Sequence, residues 1–216
     1  MTHKVAVFGH YFLEVDGVSY LYSQLRKMAE VRTYYSIDAV FKYAQENPGA
    51  KIILIAELHT ISYTLYQLAM QYPMIEILVV ANGFYYSDLV ILKTLGIKLN
   101  LTFNELIESF LKRELEPLFD TPNTDRVQYL PLLDRLQFRK YLNDVITRQL
   151  TEYGVTYKQT NILLRLFQGR TPHHIACELG ISVKTVSTHK ANALMKLPMG
   201  RSRGALTKGL WISIPV

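Results

Sequence analysis

Cysteine is almost absent from this chain of 216 residues: Cys177 stands alone, so no internal disulfide can staple the fold. No run of about 18 or more uncharged apolar residues occurs, and no basic stretch precedes an apolar one at the N-terminus. Those absences speak against a membrane span and a secretory leader, and predict a cytoplasmic protein. Internal repeats and low-complexity tracts are also missing. Gly9-His10 stands without the glycine-rich spacing of a phosphate-cradling loop. His173 and His174 are adjacent, so on a helix they point about 100° apart and do not chelate one metal. No nucleophile is paired with a base. The sequence therefore offers no catalytic residue, no metal site and no cofactor site, and a non-enzymatic role is expected.

Acidic residues are scarce in one place. From residue 151 onward nine Lys/Arg face only Glu152 and Glu178, a net +7, whereas the first 150 residues carry 15 Lys/Arg against 16 Asp/Glu, a net −1. Basic charge confined to one segment is what phosphate binding requires.

That segment holds three helical patterns joined by two short turns between Val155 and Leu197. Thr171-Pro172 reads as an N-cap followed by proline at the first helical position. Ile175, Ala176 and Leu179 give a short helix its apolar stripe, and Cys177 beside Ala176 is expected to join that packing. Gly180 suits a positive φ after the helix, Ser182 caps the next one, and Pro198 lies just past its end. With Val186 as origin and about 100° per residue, Val183, Ala193, Leu194 and Leu197 face inward. Lys184, Ser187, Thr188, Ala191 and Met195 face outward.

A helix-turn-helix puts the N-terminal part of its second helix against base edges. Lys184, Ser187, Thr188 and Ala191 form the base-facing set, with lysine suited to guanine acceptors and methyl groups to thymine. Lys190 lies near the inner side, its stem packed and its ammonium reaching toward a phosphate. His189 and Asn192 flank the groove face as backbone contacts. Thr185 on the same helix, and Thr171 and His173 at the start of the preceding one, complete the candidate DNA-binding residues.

The run from Val155 to Leu197, above all Ile175-Ala176 through Leu179-Gly180-Ile181-Ser182, then Lys184-Thr185-Val186 and Thr188-His189, resembles the DNA-binding domain of the LuxR/NarL–FixJ family of bacterial regulators. The family usually has glutamates near the start of its first helix, where this chain has Gln159 and Asn161. The stretch from Arg201 to Leu206 resembles the start of the family's fourth helix, which implies dimerisation.

The N-terminal half alternates strand and helix patterns. Lys4–Gly9, Lys51–Ala56 and Glu76–Ala81 read as buried strands, with weaker ones at Val31–Tyr34 and Ile97–Leu101. Helices are expected over Val18–Ala29, Ser36–Glu46, Ser62–Gln71, Ser87–Leu95 and Asn104–Glu114. Such alternation predicts an α/β, flavodoxin-like doubly wound domain with a parallel sheet, separate from the all-α helix-turn-helix domain. Asp120–Asp125 is rich in turn residues and marks a boundary. The expected layout is a domain over 1–119, a linker with a helix over 120–150, and a DNA-binding domain over 151–216. The helix is expected from the spacing of Leu132, Leu133, Leu136, Tyr141, Leu142 and Val145, ending before a break at Gly154. The many tyrosines of the first half cover core edges, form a protein-binding face around Phe84-Tyr85-Tyr86, or line a pocket.

Beside that C-terminal run, the first half resembles a response-regulator receiver, which implies an acidic pair after the first strand for Mg²⁺ and an aspartate ending the third strand for phosphate. Gly9 and His10 stand at the acidic-pair positions, Glu57 at the acceptor and Ala81 at the hydroxyl position. Glycine and histidine supply no carboxylate for Mg²⁺, and the Glu57 carboxylate reaches one methylene further than aspartate. Glu57 either imitates a charged, switched-on state or is a surface glutamate. The resemblance thus implies a pseudo-receiver in a bacterial transcription regulator that works independently of phosphorylation. Its implied partners are double-stranded DNA, a second copy (homodimer) or a related regulator (heterodimer), and RNA polymerase, with no membrane. Two alternatives remain: a protein–protein module that titrates another regulator without binding DNA, and a regulator that senses a small ligand in its N-terminal domain.

Overall fold

The computed structural model describes residues 4–26, 29–113, 131–167 and 170–197. The chain divides into two compact units, Met1–Gly83 with Leu92–Leu132, and Phe84–Ile91 with Leu133–Val216. The expected boundary at Asp120–Asp125 and the family-like tail Arg201–Leu206 lie outside the described residues.

The first unit is built on five parallel strands, β1 (Lys4–Gly9), β2 (Glu30–Tyr34), β3 (Lys51–Ile55), β4 (Glu76–Ala81) and β5 (Leu99–Thr102), in the order β2-β1-β3-β4-β5. Strand side chains alternate between the two sheet faces. Val5, Val7, Ile53, Ile55, Leu78 and Val80 share one core with α1 (Phe12–Leu25) and α5 (Phe103–Lys112). Ala6, Phe8, Ile52, Leu54, Ile77 and Val79 take the opposite face and are as deeply buried. Burial on both faces explains why the three inner strands read as unbroken apolar runs. The remaining helices of this half of the chain are α2 (Ile37–Glu46), α3 (Leu58–Gln71) and α4 (Tyr86–Thr94), the last divided between the two units at Leu92.

Several boundaries differ from expectation for physical reasons. Helix α1 starts six residues before Val18 because its first turn, Phe12 and Leu13, is solvent-exposed and follows no apolar stripe. Helix α3 starts at Leu58, whose buried side chain and that of Ile61 precede the run seen from Ser62. Strand β5 begins two residues after Ile97, because the Ile97 amide donates to the Leu92 carbonyl (2.8 Å) past Gly96 in a positive-φ turn.

The second unit contains α6 (Arg135–Glu152), α7 (Tyr157–Phe167), α8 (Pro172–Leu179) and α9 (Val183–Lys196). Asp134 starts α6 with a reciprocal cap: its Oδ1 accepts from the amides of Leu136 and Gln137 (2.8 Å each), and Gln137 Oε1 accepts from the Asp134 amide (3.0 Å). Leu132 and Leu133 therefore precede the helix, Leu136 is exposed, and the buried stripe is Phe138, Leu142, Ile146 and Leu150. Gly154 at φ 73° ends the element, and the Val155 amide reaches back to the Leu150 carbonyl (3.0 Å).

Two cores serve these helices. Ile162, Leu166, Ile175, Ala176 and Val186 hold α7, α8 and α9 together. Ile146, Leu150, Val155, Leu163, Ala193 and Leu197 form the other with Tyr86 and Val90.

Candidate nucleic-acid interface

The local signals of the helix-turn-helix act as the sequence suggests. Thr171 Oγ1 accepts from the His174 amide (3.3 Å), and Pro172 occupies the first helical position, where no amide is needed. Gly180 adopts φ 63°, the left-handed conformation that a Cβ disfavours, and turns the chain toward α9. Ser182 Oγ accepts from the Thr185 amide (3.0 Å) and lies 2.8 Å from the Thr185 hydroxyl.

On α9, Lys184, Ser187, Thr188, Ala191, Asn192 and Met195 are exposed, while His189 and Lys190 are half-buried. Val186, Ala193 and Leu197 are buried, Leu194 partly so. Val183 departs from the expected inward set at 42% exposed. It occupies the first helical position, beyond Ile181 at the edge of the core; periodicity gave its direction but not its depth. Cys177 is likewise exposed and not packed. It lies about 200° around α8 from buried Ile175, so the apolar stripe passes it by.

Two hydroxyls in the candidate set are engaged by the chain itself. Thr185 is tied to Ser182, and Thr188 Oγ1 donates to the Lys184 carbonyl (3.0 Å). The ammonium of Lys196 donates to the Gly154 carbonyl (2.7 Å) and to Gln159 Oε1 (3.0 Å). Gln159 also accepts from the Thr156 amide (3.0 Å), so this neutral amide caps α7.

Glu178 was not among the sequence candidates. It pairs with Arg165, and its Oε1 lies 3.4 Å from Arg170, while Arg165 Nε donates to Asn161 Oδ1 (2.9 Å). One of the two acids after residue 150 is thus neutralised by two cations, which also join α7 to α8. Residues on different helices leave no periodic trace, so no spacing could have announced them. His173 is exposed at the start of α8, near Thr171.

The receiver-like positions gather at the carboxyl ends of the strands of the first unit. Gly9 ends β1, Glu57 follows β3 at the start of α3, and Ala81 ends β4. His10, Glu57 and Ala81 line a cleft of about 340 Å³ together with Glu14, Asn82 and Phe103. A Cβ on Gly9 would meet Val15 Cγ2 at 2.8 Å and the Ile55 carbonyl at 3.1 Å. Any side chain at this position would require Val15 or its surroundings to shift. No group of three metal-ligating side chains occurs among the described residues.

Comparisons with known proteins bear on both units. Residues 154–206 match the family described as bacterial regulatory proteins, luxR family. No match was found among curated proteins. A solved complex of the two-component response regulator RcsB with DNA superposes with a TM-score of 0.61 at 16% identity, covering 91% of this chain and 92% of that one. RcsB from Salmonella enterica serovar Typhimurium, bound to a promoter in the presence of phosphomimetic BeF3-, gives 0.59 at 16% identity, with 96% and 97% covered. A structure of two RcsB dimers bound to two parallel DNAs gives 0.57 at 15% identity, with 90% and 91% covered. The chain therefore combines a receiver-like, doubly wound fold with a helix-turn-helix segment that matches the luxR family model. No described helix is long and apolar enough to cross a membrane.

Proposed function

We propose that this protein is a transcriptional regulator that binds double-stranded DNA sequence-specifically through α9 in the major groove and needs no phosphorylation. The observation that carries the reading is the capped α8–turn–α9 unit, with Lys184, Ser187, Thr188 and Ala191 exposed along one face. A net +7 after residue 150 supplies the phosphate attraction. Lys190, His189, Asn192 and His173 serve as backbone contacts around that face. The regulator acts as a homodimer or as the auxiliary partner of a related regulator, and meets RNA polymerase at the promoter. Selection of random duplexes on the full chain tests this: a consensus should emerge, with affinity falling steeply as salt rises. A chain that enriches no sequence and binds duplex DNA no better than a neutral control would instead be a titrating module.

Independence from phosphorylation is supported by Gly9, which offers no carboxylate and where an added Cβ would crowd Val15 and Ile55. Ala81 has no hydroxyl to donate to a phosphoryl group, and Glu57 extends past the acceptor position. Beryllofluoride with Mg²⁺ should leave DNA affinity unchanged. Stoichiometric, Mg²⁺-dependent phosphate incorporation lost in Glu57→Ala would refute it.

A second reading, ligand sensing, draws on the cleft at the strand ends. Open α/β sheets bind ligands there, and about 340 Å³ lies at the small end of such sites. Its described lining carries Glu14 and Glu57 but neither lysine nor arginine, which favours a cationic ligand. A rise in melting temperature with a small diamine, absent with inorganic phosphate, would support it.

A further inference from the structure

We infer that Thr188 reads DNA through its methyl group rather than its hydroxyl, and that the operator carries a thymine whose 5-methyl meets it. The inference rests on α9 being the base-reading helix. Thr188 Oγ1 donates its one proton to the Lys184 carbonyl one turn back, at 3.0 Å. A threonine hydroxyl has a single hydrogen. Once that proton is spent on the backbone, the side chain offers the bases only oxygen lone pairs and a methyl group. The lone pairs cannot meet guanine N7 or O6 or thymine O4, all of which are acceptors; they could accept only from adenine N6 or cytosine N4, a contact that Thr188→Ser would keep and Thr188→Val would lose. The methyl has one natural counterpart in the major groove, the C5-methyl of thymine.

The surroundings agree. Ala191 lies three residues on, exposed on the same face, and adds a second methyl; Ser187 beside them is small. Side chains this short allow the helix backbone to approach the base edges closely enough for methyl contact. Lys184, four residues before Thr188, is left as the long cationic group of the set. The face is therefore divided between one lysine suited to guanine and a methyl patch suited to thymine.

Two substitutions separate the methyl from the hydroxyl. Thr188→Val keeps the branched shape and removes the hydroxyl. Thr188→Ser keeps the hydroxyl and its bond to Lys184 but removes the methyl. A consensus selected by the full-length wild type is then remade with deoxyuridine replacing each thymine in turn, and binding is followed by fluorescence anisotropy. The wild type should lose about fourfold at one thymine per half-site, as for one buried methyl. Thr188→Val should retain both the affinity and this sensitivity. Thr188→Ser should bind thymine and uracil duplexes alike, at the weaker level.

If Thr188→Val loses as much affinity as Thr188→Ser, or if uracil replaces thymine everywhere without effect, the methyl assignment is wrong although α9 still reads DNA. If the wild type selects no consensus, the reading of α9 itself fails and this inference falls with it.

Discussion

Placing a methyl group on Gly9 tests whether the acidic position of the receiver fold has been closed by packing or merely left vacant by substitution. The added Cβ would stand 2.8 Å from Val15 Cγ2 and 3.1 Å from the Ile55 carbonyl, with Val15 fully buried. Overpacking of a tight site costs about 1–3 kcal/mol, and the reduced entropy of the unfolded chain returns about 0.4–1 kcal/mol of this. The net loss for Gly9→Ala should be about 1–2 kcal/mol. Val15→Ala removes two buried methyl carbons, at about 0.8 kcal/mol each, and leaves a small cavity, so it should cost about 2 kcal/mol alone. In the double variant the alanine at position 9 gains room on the Val15 side but not on the Ile55 side. The two losses should therefore fall short of additive by about 1 kcal/mol, with Gly9→Ala nearly neutral in the Val15→Ala background. Urea unfolding followed by far-UV circular dichroism reads these as midpoint shifts, about 0.5–1 M for Gly9→Ala alone. Full additivity, or a Gly9→Ala variant as stable as wild type, would refute the steric reasoning. Gly9→Asp should cost at least as much as Gly9→Ala, since it carries the same crowded Cβ.

Three further outcomes follow from the helical unit. Glu178→Gln should cost less than about 1 kcal/mol of stability, because its ion pairs are partly exposed, yet tighten DNA binding at low salt by unmasking Arg165 and Arg170; weaker binding in anisotropy titrations would count against that masking. Burial, aided by Tyr153 and Glu152, pushes the Tyr86 phenol up to about 12, so its neutral form supports folding below its ordinary value near 10 and that support is lost between about pH 10 and 12; Tyr86→Phe should flatten this alkaline loss in urea titrations. A fragment starting at Leu133 keeps the Asp134 cap and the stripe through Leu150, and should melt well above one starting at Leu150, which lacks Phe138, Leu142 and Ile146; equal melting temperatures would show that α6 adds nothing to this core.

What could be read from the sequence divides along physical lines. Strands β1, β3 and β4 were legible because burial on both faces demands continuous apolar runs bounded by turn residues. The ends of α8 and α9 were legible because Thr171, Pro172, Gly180 and Ser182 are local signals: each acts on a backbone group within a few residues of itself. The first turn of α1 was hidden because Phe12 and Leu13 are exposed, whereas buried Val15 already belongs to its stripe and was overlooked. Leu136 misled for the opposite reason, since its place in an apolar spacing says nothing about whether another element covers it.

The candidate site shows the same division. Periodicity placed Lys184, Ser187, Thr188 and Ala191 outward, and their exposure agrees. It could not show that the Thr188 proton is spent on the Lys184 carbonyl, because a threonine in a helix chooses among rotamers and only one makes that bond. Nor could it show the clamp on Glu178, which unites residues 165, 170 and 178 across a turn. At the other site the letters Gly9, His10, Glu57 and Ala81 were legible as departures from the receiver pattern, while the crowding of Gly9 by Val15, six residues away on α1, was not. Any side chain at position 9 must displace Val15, which belongs to the first core, so the packing of α1 on the sheet and the identity of residue 9 are coupled through one contact.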